Sequence, residues 1–179
     1  MKLRYYLLDT NILGPLAELK AGGTGPECKA LEKHWNTLPE GTRVFLCPIN
    51  VGEVEYGLRV APYEKPEEHK LARDLLAAFN RSDLLLDINT NLARDYYAEL
   101  RARLFNYCAP RSKRERKNYN KRVEEWKDPT TSKELKIQEN DLWLAAVAMA
   151  HNLILVTRDN MDAIKKVARS DITFENWLE

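Results

Sequence analysis

Four carboxylates stand where apolar segments of this chain end or begin: Asp9, Glu53, Asp141 and Asp159. Asp9 directly follows the apolar run Leu3–Leu8, and Asp159 lies just beyond Leu153–Val156. Glu53 falls in the first turns of the segment after Val44–Cys47, and Asp141 opens the apolar, Ala-rich stretch before Leu153. Carboxylates that share one cleft repel each other and partly protonate unless a cation neutralises them. Oxygen-only ligands favour Mg²⁺ or Mn²⁺ over softer metals. Such an ion activates water and stabilises charge on a phosphoryl group, which is what phosphodiester hydrolysis requires. Taken singly, each acid has a plainer reading. Asp9 and Asp159 could be helix N-caps, Asp141 could serve the dipole of its helix, and Glu53 could be a solvated surface residue.

Other chemistries find little to use. Cys28, Cys47 and Cys108 are odd in number, widely spaced and form no CxxC pair, so they read as small core hydrophobes. His34, His69 and His151 lack zinc-ligand spacing. Neither GxxxxGK[ST] nor GxGxxG occurs. A haloacid-dehalogenase phosphatase wants a second acid two residues after the first, but position 11 is Asn. A response-regulator receiver wants an acidic pair at the first strand, and Asp9 stands alone there.

The elements that would position the acids alternate between strand and helix. Strands are expected at Leu3–Leu8, Val44–Cys47, Leu84–Ile88, Leu153–Val156 and Ile172–Phe174. Helices are expected at Thr10–Lys20, Glu27–Leu38, Ile49–Val60, Glu67–Asn80, Asn89–Tyr107, Gln138–Ala150 and Asp159–Ala168. Leu71, Leu75 and Phe79 recur every four residues, as do Leu92, Tyr96, Leu100 and Leu104, marking buried helical stripes. Continuous apolar strands separated by helices indicate an α/β fold whose mostly parallel sheet is covered on both faces. In such a sheet, ligands bind outside the carboxyl ends of the strands, where Asp9 and Asp159 fall and Glu53 follows closely. The topology alone leaves Asp141 unassigned.

Local motifs add to this pattern. LLDTNIL (Leu7–Leu13), INVGEVEYGL (Ile49–Leu58) and QENDLWLAAVAMAHNLILVTRDN (Gln138–Asn160) resemble the motifs of the PIN-domain family, in particular the VapC-type toxins of toxin–antitoxin modules. In the second motif a Glu is followed four residues later by Gly, which selects Glu53, with Gly57, over Glu55. The resemblance implies a single PIN domain over residues 1–179, a Rossmann-type α/β/α sandwich with about five mostly parallel strands. It implies Mg²⁺- or Mn²⁺-dependent RNA cleavage that leaves 5′-phosphate and 3′-hydroxyl ends. Asp9, Asp141 and Asp159 would hold metal, and Glu53 would bind metal or position the attacking water. Thr10, Asn11 and Thr157 would orient ligands or substrate. A small antitoxin partner and a homodimer are also implied. The alternative is a degenerate PIN domain that binds RNA or scaffolds without cutting it, against which the four intact acids argue.

Residues 109–136 depart from the compact toxins. From Arg101 to Lys127 there are ten Lys or Arg against three Glu, although the whole chain carries a net charge of only +1. This insertion is expected to be partly helical around Arg114–Trp126. Its cations Arg114, Arg116, Lys121 and Arg122 could contact RNA phosphates, with Tyr119 and Trp126 stacking on bases. The plainer reading is a solvated loop. No apolar run is long enough to span a bilayer and the N-terminus lacks signal-peptide order, so a cytoplasmic protein without a membrane partner is expected.

Overall fold

A computed structural model describes residues 4–61, 66–115, 118 and 120–179. The chain divides into two compact units. The first comprises Met1–Ile88, Leu153–Asp159 and Thr173–Glu179, and the second Asn89–Asn152 and Asn160–Ile172.

The first unit holds a four-stranded sheet: β1 (Tyr6–Leu8), β2 (Val44–Phe45), β3 (Ile154–Val156) and β4 (Thr173–Glu175). The order is β2-β1-β3-β4 and every pairing is parallel. Leu7 pairs with Phe45 on one side and Leu155 on the other. Tyr6, Leu8, Val44, Ile154 and Val156 face a core shared with helices α1 (Thr10–Lys20), α2 (Pro26–Thr37) and α4 (Pro66–Arg81). Leu7, Phe45 and Leu155, which point the other way, are buried as well. Burial on both faces explains why these strands read as unbroken apolar runs.

Helix α1 ends in a Schellman motif. Gly22, at φ 86°, donates to the Leu19 carbonyl, and Gly23 donates to the Glu18 carbonyl at 2.8 Å. A Cβ on Gly23 would lie 2.8 Å from that same oxygen, so the Gly-Gly pair turns the chain tightly into α2. The fold then closes on Trp177, 1% exposed, whose ring meets Tyr6 edge-on at 4.9 Å and stacks on His34 at 6.2 Å. Its Nε1 donates to Glu175 at 2.9 Å.

One expectation for this unit is revised. Leu84–Ile88 forms no full strand and contributes one parallel bridge, Leu46 to Leu85, so among the described residues the sheet has four strands, close to the about five expected. Helix α3 (Pro48–Val60) buries a polar residue most deeply: Asn50 is fully enclosed, while Ile49, Val51 and Val54 are only partly covered.

The second unit begins with a single turn, α5 (Thr90–Leu92), then a π-helical turn at Ala93–Tyr97 and helix α6 (Ala98–Cys108). The wider turn interrupts what the four-residue stripe suggested was one regular helix, and it stacks Tyr97 on Trp143. Helices α7 (Glu139–Ala150) and α8 (Asp162–Ala168) complete the unit. Helix α8 starts three residues later than expected because Met161, at φ 43°, breaks the helical path.

Most described parts of the insertion are irregular, with 3₁₀ turns at Arg111–Lys113 and Val123–Glu125 in place of a longer helix. It is not simply a solvated loop, because Ala109, Val123 and Trp126 are buried. Trp126 packs against Phe105 with Arg101 over its ring, which removes it as a base-stacking surface. Arg116 and Tyr119 lie outside the described residues. Among the described residues, no helix is long and apolar enough to cross a membrane.

Trp177→Ala should cost about 3–5 kcal/mol, as expected for truncation of a buried aromatic. Urea unfolding should show a lower midpoint with an unchanged slope. A loss below about 1 kcal/mol would contradict the central place given to this side chain.

Candidate active site at the carboxyl ends of the strands

Parallel pairing puts the ends of β1 and β3 side by side, and the chain leaves both strands with polar residues. Asp9 caps α1 and is only 5% exposed. Its Oδ1 accepts the Thr10 backbone N–H at 2.6 Å. Its Oδ2 accepts from Asn11 Nδ2 at 2.9 Å and from the Thr157 hydroxyl at 2.6 Å. Thr157 comes from the end of β3 and is itself buried. While donating to Asp9, its oxygen accepts from Asn11 Nδ2 at 3.2 Å and from the Asp159 backbone N–H at 3.0 Å. One hydroxyl thus uses its proton and both lone pairs, which fixes its orientation.

A second chain of contacts runs towards α3. The Thr10 hydroxyl donates to Glu53 in a short hydrogen bond and accepts from Asn50 Nδ2 at 3.2 Å. Asn50 Nδ2 also reaches the Leu8 carbonyl at 3.1 Å, and its Oδ1 accepts the Cys47 backbone N–H at 2.9 Å. Asn50 therefore caps α3 and ties its first turn to the end of β1. Glu53 follows on the next turn of that helix.

Burial raises the Asp9 carboxyl above its ordinary value of 3.8. The Thr157 hydroxyl and Thr10 N–H draw it back down, and the negative charges of Asp159 and Glu53 raise it further. The first unit therefore gathers six of the expected residues around one buried carboxylate: Asp9, Thr10, Asn11, Glu53, Thr157 and Asp159. Asp159 is exposed, partly buried Glu53 is held by Thr10, and Asp9 forms the floor.

Two contributors were not anticipated. Asn50 left only a weak trace, a polar side chain among apolar ones just after a strand. Arg158 donates its backbone N–H to Asn11 Oδ1 at 3.2 Å and its guanidinium to Glu27 at 3.0 Å.

The remaining expected residues belong to the second unit. Asp141 lies in the first turn of α7, where the plainer reading has it serve the helix dipole, and its Oδ2 also accepts the Gln138 backbone N–H at 2.6 Å as part of a capping box. Lys121 and Arg122 are exposed. Arg114 donates to Asn106 Oδ1 and to the Ala109 carbonyl, with its guanidinium over the Phe105 ring. Burial pushes the Cys47 thiol up and lifts that of Cys108 to about 11, so neither is poised as a thiolate.

Among the described residues, no three His, Cys, Asp or Glu side chains converge into a ready-made ligand cage. The donor chemistry nevertheless suits a hard divalent cation. Every group around Asp9 offers oxygen or amide, and the charge crowding on Asp9 is what a cation would relieve. Mg²⁺ commonly takes only one or two carboxylates and keeps several waters, so a full protein cage is not required.

This arrangement of parallel strands with acids at their carboxyl ends has clear relatives. The PIN-domain family profile matches residues 6–170, and the chain belongs to that family. Similar solved structures include VapBC2 from Rickettsia felis bound to a DNA fragment from its promoter, at TM-score 0.58 and 21% identity over 97% of this chain and 98% of that one. VapBC-1 from nontypeable Haemophilus influenzae matches at TM-score 0.59 and 19% identity over 98% and 99%. FitAB bound to a DNA fragment matches at TM-score 0.60 and 21% identity over 97% and 96%. At these identities the likeness is one of fold. No curated protein sequence matches the chain.

The raised pKa of Asp9 sets a sign for pH dependence. Its contribution to stability is fully present below 3.8 and is lost as pH rises through the higher folded-state value. Without divalent ions at neutral pH, Asp9→Asn should therefore have a higher Tm than wild type, and the gap should narrow on acidification. Mn²⁺ should raise the Tm of wild type and leave the variant unmoved. Equal responses of the two proteins to both pH and Mn²⁺ would contradict this description of the site.

Proposed function

We propose that this chain is a metal-dependent endoribonuclease and the toxin of a toxin–antitoxin pair. The observation that carries the reading is the buried Asp9 carboxylate, held by Thr10, Asn11 and Thr157 while Glu53 and Asp159 crowd it with negative charge. A structural N-cap has no need of two more acids beside it. Family membership points the same way.

In this reading Asp9 is the principal metal ligand, joined by Asp159 from the first unit and by Asp141 through the motif resemblance, while Glu53 binds metal or positions the attacking water. A bound Mg²⁺ or Mn²⁺ supplies charge neutralisation at the phosphoryl oxygens and lowers the pKa of water. The protein does the positioning. Thr157 and Asn11 hold Asp9 Oδ2 in one orientation, and Thr10 fixes the Glu53 carboxylate so that it can orient the attacking water. Water attacks phosphorus, the bond to the 3′ oxygen breaks, and the products are a 5′-phosphate and a 3′-hydroxyl.

The antitoxin is proposed by analogy with the VapBC and FitAB complexes, whose fold this chain shares. An apolar groove of about 320 Å³ between α1, α3 and α4 offers it a surface, lined among others by Leu13, Ala17, Val54, Leu58 and Leu75. Thr10 lines the same groove, so an occupant would extend to the acidic site. Helix α3 also exposes Tyr56 and Val60, at 68% and 61%.

Purified protein should cut mixed RNA with Mg²⁺ or Mn²⁺ and be silent in chelator. Asp9→Asn should lower kcat by at least about a hundredfold, the scale on which groups of this kind act in catalysis. Thr157→Val should reduce activity less, because it disturbs Asp9 without removing it. Cleavage that persists in chelator or in Asp9→Asn would refute the proposal.

A further inference from the structure

The second unit contains a cavity of about 710 Å³ that the acidic site does not use. It lies between the C-terminal half of α6 and the end of α8, and it is lined by Arg103, Asn106, Tyr107, Lys166, Arg169 and Ser170 among others. Its cations differ in how they are engaged. Arg103 is neutralised, donating to Glu99 at 2.8 Å and to Asp171 at 2.6 Å. Lys166 instead donates to the phenol oxygen of Tyr107 at 2.8 Å, with its ammonium 4.4 Å from that ring's centroid. The Tyr107 hydroxyl proton goes to Asp128, whose other oxygen accepts the Thr130 and Thr131 backbone N–H groups at 2.8 Å each. Asp128 is thus engaged in closing the insertion, and the Lys166 charge meets a neutral partner directly.

Arg169 is the most telling residue. It follows α8 with φ 55° and ψ −122°, a backbone conformation that glycine adopts readily and an arginine does not. It is exposed, and among the described residues its guanidinium has no hydrogen-bonding or ionic partner. A strained non-glycine residue that presents an unpaired cation to a cavity is costly for folding alone, and such strain tends to persist where it serves function. The insertion adds a further cation at the rim, since Arg114 donates to Asn106, one of the lining residues.

We propose that this cavity is a subsite for the phosphodiester backbone of single-stranded RNA, with Lys166 and Arg169 as its phosphate-contacting groups and Arg114 extending it at the rim. The inference rests on the ribonuclease reading for its choice of RNA over another polyanion. The sequence-based expectation gives the phosphate contacts to Arg114, Arg116, Lys121 and Arg122; Arg114 is kept, since it reaches the lining residue Asn106, and the main contacts move from Lys121 and Arg122 to Lys166 and Arg169. Lys121 and Arg122 lie outside the cavity lining, and the Arg122 backbone N–H is engaged by Glu125 at 2.6 Å. Tyr107 takes a structural part, because Lys166 already covers its ring and Asp128 holds its hydroxyl.

The test measures binding of the full chain to fluorescent polyuridylate across a salt series in chelator, where cleavage is not needed for the signal. Wild type should bind with a steep loss of affinity as salt rises. The double variant Lys166→Ala/Arg169→Gly should bind more weakly, with a log–log salt slope shallower by about 1.4, since each single-strand phosphate contact contributes about 0.7. Arg169→Gly alone should keep or raise the Tm, because glycine accepts this φ without strain, which separates lost binding from lost folding. Arg169→Lys should retain most of the affinity. An unchanged slope in the double variant overturns the proposal, and so does polyglutamate binding the cavity in preference to RNA. Metal-dependent cleavage is assayed separately, so failure of the nuclease reading would leave cleavage absent whatever this slope shows.

Discussion

The arrangement of this molecule turns on keeping one carboxylate, Asp9, ionisable while nearly sealed from water. Burying a charge without partners costs several kcal/mol, so the fold must bring donors to both oxygens. Thr10 and Asn11 are local and come with the start of α1. Thr157 is 148 residues away and arrives only because β1 and β3 pair in parallel with Leu8 opposite Val156. A one-residue slip in that register would turn Thr157 away from Asp9.

The surrounding polar residues make sense as the support of that carboxylate. Thr157 needs a hydroxyl, since valine would fill the same space without donating to Asp9 or accepting from Asn11 and Asp159. Asn50 does the same work on the other side, joining the Leu8 carbonyl, the Thr10 hydroxyl and the first turn of α3 through one fully buried amide. Glu53 is thereby placed by a residue three positions before it. What stays unrelieved is repulsion: Asp159 and Glu53 raise the Asp9 pKa although three donors are already in place. That residual repulsion is the physical basis for expecting a cation.

Much of this was legible in the sequence. The strands were visible because burial on both faces makes them continuously apolar, and α1 was visible as a helix bounded by Asp9 and the Gly-Gly turn. The acids Asp9, Glu53 and Asp159, with Thr10, Asn11 and Thr157, could be picked out by their places after strands and by the motif resemblance. Asn50 was not, because a lone buried amide has no periodic signature and its three partners are brought together only by the sheet. The Leu84–Ile88 segment has strand composition but makes one bridge, a tertiary outcome that composition does not encode. The π turn at Ala93–Tyr97 was hidden because a four-residue stripe persists across it. Trp126 sits in a run of charges and still buries its ring. Arg169 gives no sign of its strained backbone, since arginine after a helix is ordinarily unremarkable.

The proposed hydrolysis of RNA by water at the acidic site is tested most directly by the chemistry of the new ends. RNA cut by the wild-type chain in Mn²⁺ should carry 5′-phosphate and 3′-hydroxyl termini, because the attacking oxygen comes from solvent and the 3′ oxygen leaves. The 3′ ends should then be extendable by a polymerase without prior treatment. Products ending in a 2′,3′-cyclic phosphate, with 5′-hydroxyl partners, would mean that the RNA's own 2′-hydroxyl attacks, and they would contradict the role assigned to Asp9 and its neighbours.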